Sequence, residues 1–499
     1  MLDSNRIKFV IMKTIRYIMG FFLFFALTSC NDWFEVSPET QVSSDDLYEK
    51  GNGFRMQVNG LYKSLGSSSL YAQELTWGFL DVLGQYYVRQ NLDNAYQEVN
   101  DRQYENANVL SIIDGIWSGM YKVIADCNNI IEHVDKASNS IFELGEPERL
   151  KIRGEALAVR AFVHFDLLRL FAPAPTVNEN GSWIPYVTSS ESVINNKLTV
   201  KQVLENVERD LLEAHTCMVP WDSAIVYSDY YNEEVIRMWH IMERFWTDWN
   251  TESEIAEFFG HQRSRLNMAS IRGMLARVYS YMGEKKKAYD AIEEAFAMGG
   301  KWEPWGFEDM DWIEPGHGRL LSDVVFNVYN TRAGDINAPF MTAERPLYIR
   351  NVYDLFLAQH QIDGRFERLL SMLSGNYLSI KSKKGNNDVA YLPILRKSEL
   401  YYIKGEYLAS IGQVSEAVDL LREIRSSRGD ISMDDLNTIT TEMGYIEAML
   451  TDARKEFIGE GQSFYLFKRL NLPVFDGLQN VDFRNLYTLP VPKSEEVVF

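Results

Sequence analysis

Apolar residues recur at spacings of three and four over residues 53–65, 112–134, 148–171, 200–215 and 234–249, the period of a helix that buries one face. Alternation with a period of two is short and rare, as over residues 323–329. The pattern predicts a mainly α protein. One helix departs from the single-face rule: over residues 153–171 apolar side chains occupy nearly every side, so it should be buried all round. Its Glu155, Arg160, His164, Asp166 and Arg169 must then find partners inside the protein, because an unpaired buried charge is costly. Asp166 and Arg169 stand at i,i+3 and Arg160 and His164 at i,i+4, within reach of one another.

A longer period overlies the helical one. Around Gly283 the chain reads Leu275, Ala276, Tyr279, Gly283, Ala288, Ile292, Ala295; around Gly412 it reads Lys404, Gly405, Leu408, Gly412, Ala417, Leu421, Ile424. The offsets agree: a small residue seven before the glycine, a bulky one four before, Ala five after, an aliphatic nine after and an apolar residue twelve after. This pattern resembles the tetratricopeptide repeat, in which small residues let two antiparallel helices approach and bulky ones fill the seam. Residues 155–171 look like the first helix of another such unit. Stacked helical pairs build an extended surface suited to holding a partner.

Seven of the 11 tryptophans fall between Trp221 and Trp312, and they divide into two kinds. Ile236, Trp239, Met242, Trp246 and Trp249 step along one helix face and read as core. Trp302, Trp305 and Trp312 lie in a segment punctuated by Pro304, Gly306, Pro315, Gly316 and Gly318, which reads as a loop carrying three large rings. Loops on a rigid scaffold commonly carry binding function.

The chain has 499 residues, 50 basic against 70 acidic, for a formal charge of -20. That excess repels phosphate backbones and excludes a general nucleic-acid role, and it argues against electrostatic docking on anionic lipid. Three cysteines, Cys30, Cys127 and Cys217, are too few for a disulfide framework and wrongly spaced for structural zinc; Cys127 and Cys217 read as small buried hydrophobes.

Cys30 stands apart. Lys13 and Arg16 precede an uncharged apolar run over residues 18–27, about half of the ~20 residues a spanning helix needs, so residues 1–29 read as a signal peptide, with Met12 the expected start. Leu27-Thr28-Ser29-Cys30 resembles the bacterial lipobox, which implies that Cys30 becomes a lipidated first residue. Acyl chains, at ~0.8 kcal/mol per buried CH2, would then hold the body to a membrane. Removal of the leader leaves 46 basic and 69 acidic residues, a charge of -23.

Further pieces follow in a fixed order: the tether Cys30-Asn31-Asp32-Trp33-Phe34-Glu35-Val36-Ser37-Pro38; Leu61-Tyr62 with Leu70-Tyr71; the helix over 153–171; Arg454-Lys455-Glu456-Phe457-Ile458-Gly459-Glu460-Gly461-Gln462-Ser463-Phe464-Tyr465, then Lys468-Arg469; and Leu489-Pro490-Val491-Pro492. Together they resemble the SusD/RagB family of outer-membrane nutrient-uptake lipoproteins over nearly the whole chain. Ala172 stands where that family usually has Gly. Taken by themselves, Arg454, Glu456 and Glu460 read as satisfied core polar groups, like those of the 153–171 helix.

The resemblance implies tetratricopeptide-like hairpins packed against an irregular, loop-rich ligand-binding part. The expected organisation is a lipoprotein signal peptide over 1–29, a SusD-like N-terminal region over 30–225, an insertion with the Trp-rich helix over 226–265, and a RagB/SusD C-terminal region with the hairpins over 266–499. It further implies a protein on the exterior face of the outer membrane, held by its N-terminal lipid, that captures oligosaccharides and delivers them to a SusC-like TonB-dependent transporter. Peptide capture of the RagB kind is the alternative. The family's aromatic ligand arc maps here to Trp77, Asp81, Tyr86, Tyr87 and Asn91, and to Trp302, Trp305 and Trp312.

No catalytic residue, cofactor or metal site is expected. HExxH, GxSxG, Walker and GxGxxG signatures are all missing. Glu308, Asp309, Asp311 and Glu314 cluster without the Asp-x-Asp-x-Asp-Gly spacing of a calcium loop and read as solvated charge. A surface glycoside hydrolase stays the less favoured alternative, because the carboxylate separation it needs is not a property of sequence spacing.

Overall fold

The computed structural model describes residues 47–191, 194–226, 265–298, 305–307, 310, 317–356, 363–430 and 433–496. The main body begins at Lys50. Its principal helices are α1 (Gly51–Leu65), α2 (Phe79–Leu83), α3 (Ala107–Lys136), α4 (Glu146–Phe171), α5 (Val200–Val226), α6 (Met268–Met282), α7 (Lys285–Ala297), α8 (Lys397–Ser410), α9 (Val414–Ser427), α10 (Glu442–Glu456) and α11 (Gln462–Leu470). Between and beside them lie the short strands β1 (Ser182–Ile184), β2 (Leu198–Thr199), β3 (Val324–Tyr329), β4 (Leu370–Leu373), β5 (Asn376–Ser379), β6 (Tyr391–Arg396), β7 (Val474–Phe475) and β8 (Asn480–Val481). They form antiparallel pairs β1 with β2, β3 with β6, β4 with β5 and β7 with β8. Among the described residues no sheet has a third strand, so the core belongs to the helices.

The helices stack in sequence order. α4 packs along both α3 and α5, α5 against α6, α6 against α7, α7 against α8, α8 against α9 and α10. The glycine offsets mark these hairpins: Gly283 and Gly412 sit in the two turns with φ of +81° and +85°, and Ala276, Ala288, Ile292, Ala295, Ala417, Leu421 and Ile424 are all fully buried. At Gly405 the small-residue position has a tertiary reason, since α10 lays the Tyr445 ring directly on it.

α4 is buried along most of its length, and each polar group named from sequence has a partner. Glu155 accepts from Tyr62 Oη at 2.9 Å and pairs with Arg265 at 2.9 Å. Arg160 donates to Asp210 at 2.8 Å and to Asn128 at 2.9 Å. Asp166 pairs with Arg169 and accepts from Tyr71 Oη at 2.5 Å. Arg160 and His164 meet differently from the expected side-chain pair: the ring Nδ1 bonds the Arg160 carbonyl at 2.9 Å, while Nε2 accepts the Val187 N–H at 3.0 Å.

Helix α5 runs past the expected end at His215, through Pro220. Asp222 anchors the extension, accepting from Lys151 Nζ at 2.9 Å and from the Met268 N–H at 2.8 Å. At the start of α6 Asn267 and Ser270 form a reciprocal capping box. Cys127 and Cys217 are both free and buried. The lipobox with Cys30, the Trp-rich helix over 234–249 and the acidic residues at 308, 309, 311 and 314 lie outside the described residues.

Candidate functional site

The segment from Trp77 to Asn91, expected to offer rings and polar groups to a ligand, is mostly interior. Trp77 is 3% exposed, donates Nε1–H to the Ala72 carbonyl at 3.0 Å and packs edge-on to Phe340 at 5.0 Å. Tyr87 donates to the Trp77 carbonyl at 2.8 Å. Tyr86 lies under the Arg454 guanidinium, 4.0 Å from ring centre, and donates to the Arg454 carbonyl at 2.8 Å. Arg454 in turn donates to the carbonyls of Gly84 at 2.5 Å and Gln85 at 2.8 Å. Asp81 accepts the N–H groups of Gly459 at 2.7 Å and Gly461 at 2.9 Å. Burial pushes its carboxyl up to about 7 against those two bonds, which pull it down.

The structure thus places Trp77, Asp81, Tyr86 and Tyr87, expected at the ligand arc, in the interior, with their polar atoms bonded within the chain and their rings covered. Trp77 and Tyr87 edge a cavity of about 20 Å³, room for about one water. Asn91 ends a turn spanning Arg89–Asn91 and is exposed. Trp305, expected on a ligand-binding loop, is likewise fully buried, with its ring 6.0 Å from that of Phe296. Trp302 and Trp312 lie outside the described residues.

Behind this segment lies a buried ionic network that the C-terminal motif completes. Arg396 donates to Glu460 at 2.6 and 2.7 Å and to Asp323 at 2.5 Å. Lys381 Nζ reaches Glu460 and the Glu456 carbonyl, each at 2.7 Å. Arg428 holds Glu456 at 2.6 Å and also Asp323. Arg365 bonds Asp363 at 3.0 Å and Asp452 at 3.1 Å. Burial raises the Glu460 carboxyl, and Arg396 with Lys381 more than reverses this, leaving it below its ordinary value. Arg454, Glu456 and Glu460 are thus buried core groups with partners inside the protein, as their setting in the sequence indicated.

The chemistry open to solvent lies nearby, on residues the sequence did not single out. Tyr353, on a short helix spanning Val352–Leu355, is 50% exposed and meets Tyr377 of β5 edge-on at 5.7 Å, their hydroxyls 3.3 Å apart. Phe366 lies 4.9 Å from Tyr377, and Met372, cross-strand from Tyr377, is 59% exposed. The β7–β8 turn packs on the same helix: Asp476 accepts from Arg350 at 3.4 Å and from Asn351 at 3.1 Å. From that turn Phe475 enters a groove of about 460 Å³ along α10, lined also by Thr438, Thr440, Thr441, Glu447 and Thr451.

The volume lies within the range of small-ligand clefts. Exposed rings beside hydroxyl and carboxylate groups suit a ligand with C–H faces and many hydroxyls. Nothing in the spacing of Tyr353, Phe366 and Tyr377 announces their meeting; the local signal is the Ser374-Gly375 turn, which makes the β4–β5 hairpin. Among the described residues no three His, Cys, Asp or Glu side chains are placed to hold a metal ion, and no helix is long and apolar enough to cross a membrane.

Residues 32–232 match the family model SusD-like_3, described as starch-binding associating with outer membrane. A SusD-like protein of Formosa agariphila is 24% identical over 184 residues, covering 34% of this chain and 32% of the relative, so the matched stretch spans about a third of that relative's length. The crystal structure of a SusD superfamily protein from Bacteroides thetaiotaomicron superposes with a TM-score of 0.69 at 21% identity, over 90% of this chain and 98% of that one. A laminarin-binding SusD-like protein superposes with a TM-score of 0.62 at 18% identity, over 90% and 98% of the two chains. Residues 32–232 thus match a SusD-like family region, and the chain has the fold of the SusD-superfamily structures across 90% of its length.

Proposed function

We propose that this protein captures oligosaccharides at the outer surface of the cell, without turning them over, and delivers them to a TonB-dependent outer-membrane transporter while a lipid on Cys30 holds it in place. The observation that carries the reading is the family match over residues 32–232, whose description joins starch binding to the outer membrane. The exposed Tyr353 ring and the half-buried Tyr377 ring, near the threonine-lined groove, supply chemistry that fits it. A ring face gives apolar contact to the C–H face of a sugar, and hydroxyls and carboxylates alongside bond its hydroxyl groups. Among the site residues named from sequence, Asn91 keeps an exposed side chain and stays a candidate contact; Trp302 and Trp312, outside the described residues, stay candidates from the sequence alone.

The test is affinity electrophoresis and calorimetry of residues 31–499 against a polysaccharide and peptide panel that includes laminarin, the ligand of one structural neighbour. Saturable glycan binding is expected, weakened roughly fivefold or more by Tyr353→Ala or Tyr377→Ala with unchanged circular dichroism, at ~1 kcal/mol per stacking ring. Binding of peptides alone, or release of new reducing ends at an enzyme-like rate, would overturn the reading.

A further inference from the structure

Where α4, α6, α8 and α11 meet, the interior holds a cavity of about 40 Å³. Three buried polar atoms on its lining residues have no hydrogen-bond partner in the protein: Arg277 Nη1, Tyr281 Oη and Tyr465 Oη. Their residues are 3%, 3% and 4% exposed. The rest of the Arg277 head is fully engaged, Nε with Glu399 at 2.6 Å and Nη2 with the Ile394 carbonyl at 2.6 Å. Nη1 therefore brings two donor hydrogens and the two tyrosines one each, with no protein acceptor offered to any of them. Buried polar groups in folded proteins are nearly always satisfied, so such a group of donors around a void calls for a guest.

We propose that this cavity is a built hydration site, holding one to three ordered waters that accept from Arg277 Nη1 and bridge the Tyr281 and Tyr465 hydroxyls. A water needs about 10–15 Å³ of such space and two to four polar partners, and both are present. The charge around the cavity selects water over a halide. Arg169, Arg277 and Arg469 are each paired with an acid, Asp166, Glu399 and Glu406 respectively, so the surroundings are neutral and an anion would be buried without compensation. The waters tie α6, from a central hairpin, to α11, from the C-terminal motif, at a place where neither side chain reaches the other.

A crystal structure of the protein at a resolution that shows water tests this directly. Peaks within about 3.2 Å of Arg277 Nη1 and of both hydroxyls are expected. An empty cavity would overturn the proposal, and so would an anomalous signal there after a bromide soak, which would make the guest a halide. In solution, Tyr281→Phe and Tyr465→Phe should each raise the unfolding equilibrium constant about five- to thirtyfold, because a hydrated hydroxyl is lost. Unchanged or increased stability in both would mean dry hydroxyls and sink the idea.

Discussion

Replacing Gly405 with alanine sets two effects of opposite sign against each other. In the middle of α8, helix propensity alone favours alanine by about 1 kcal/mol. The tertiary setting opposes it. A Cβ at this position would overlap the Tyr445 hydroxyl outright and lie 2.9 Å from ring carbon Cε2. Tyr445 is fully buried and donates to the Tyr402 carbonyl at 3.1 Å, so it has no free direction in which to retreat. Overpacking costs about 1–3 kcal/mol, and loss of that buried hydrogen bond about 1–3 more. After the propensity gain, Gly405→Ala should destabilise the body by about 3 kcal/mol.

Urea denaturation followed by far-UV circular dichroism measures this, with Gly115→Ala as the matched control. Gly115 is also a mid-helix glycine, on α3, but nothing lies within 4 Å of its ideal Cβ, so alanine there should stabilise by about 0.5–1 kcal/mol. Opposite signs for the two variants are expected. If Gly405→Ala stabilised as Gly115→Ala does, the close approach of α8 and α10 would be refuted. In a Tyr445→Phe background, which removes the worst overlap, the cost of Gly405→Ala should shrink, a coupling that a double-mutant cycle reads.

Glu460→Gln removes the charge shared by buried Arg396 and Lys381 and should cost about 3–5 kcal/mol by urea titration; a loss below ~1 kcal/mol would contradict the network. His164 should stay neutral at pH 5 in imidazole NMR shifts, because burial lowers its pKa from 6.5 to about 3 despite the bond to the Arg160 carbonyl, and its Nε2 is already occupied as acceptor from Val187. The unfolded ring takes up a proton below about 6.5 while the folded one does not, so stability from this site is lost as pH falls from 6.5 toward 3, by up to ~1.4 kcal/mol per pH unit. Asp81 acts in the opposite sense: its pKa is raised to about 7, so its contribution is full at pH 4 and is lost as pH climbs through 7, and Asp81→Asn should flatten that limb of the stability profile. Cys127, whose thiol burial pushes far above its ordinary value, should resist alkylation until the protein unfolds.

The parts of the fold that local pattern controls were readable in advance. The turns at Gly283 and Gly412 need only a left-handed backbone and a matched set of small and large residues within a few turns of helix, all of it visible in one stretch of sequence. The polar residues of α4 could be assigned to the interior because the helix leaves them no polar side. The interior position of Trp77, Asp81, Tyr86 and Tyr87 is not legible in their segment because its partners are remote: Arg454 reaches Gly84 across 370 residues, and Gly461 reaches Asp81 across 380. Density of aromatic residues says nothing about which face they show. The Tyr353, Phe366 and Tyr377 cluster was missed for the same reason, since a hairpin and a separate short helix bring it together.

Synthesis runs from the N-terminus, so Asp81, Arg396 and Arg428 leave the ribosome before Glu456, Gly459, Glu460 and Gly461, which complete their bonding, although Asp323 precedes both arginines. Until Glu456, Gly459, Glu460 and Gly461 arrive, two guanidinium groups lack acids that they hold in the finished protein, and the Asp81 carboxylate lacks both of its backbone donors. Burying them in that condition is unfavourable, which keeps the interior open until the C-terminal segment threads into place. The segment works as a keystone, and a chain cut ahead of Arg454 should remain a substrate for proteases whatever the quality of the hairpins that precede it.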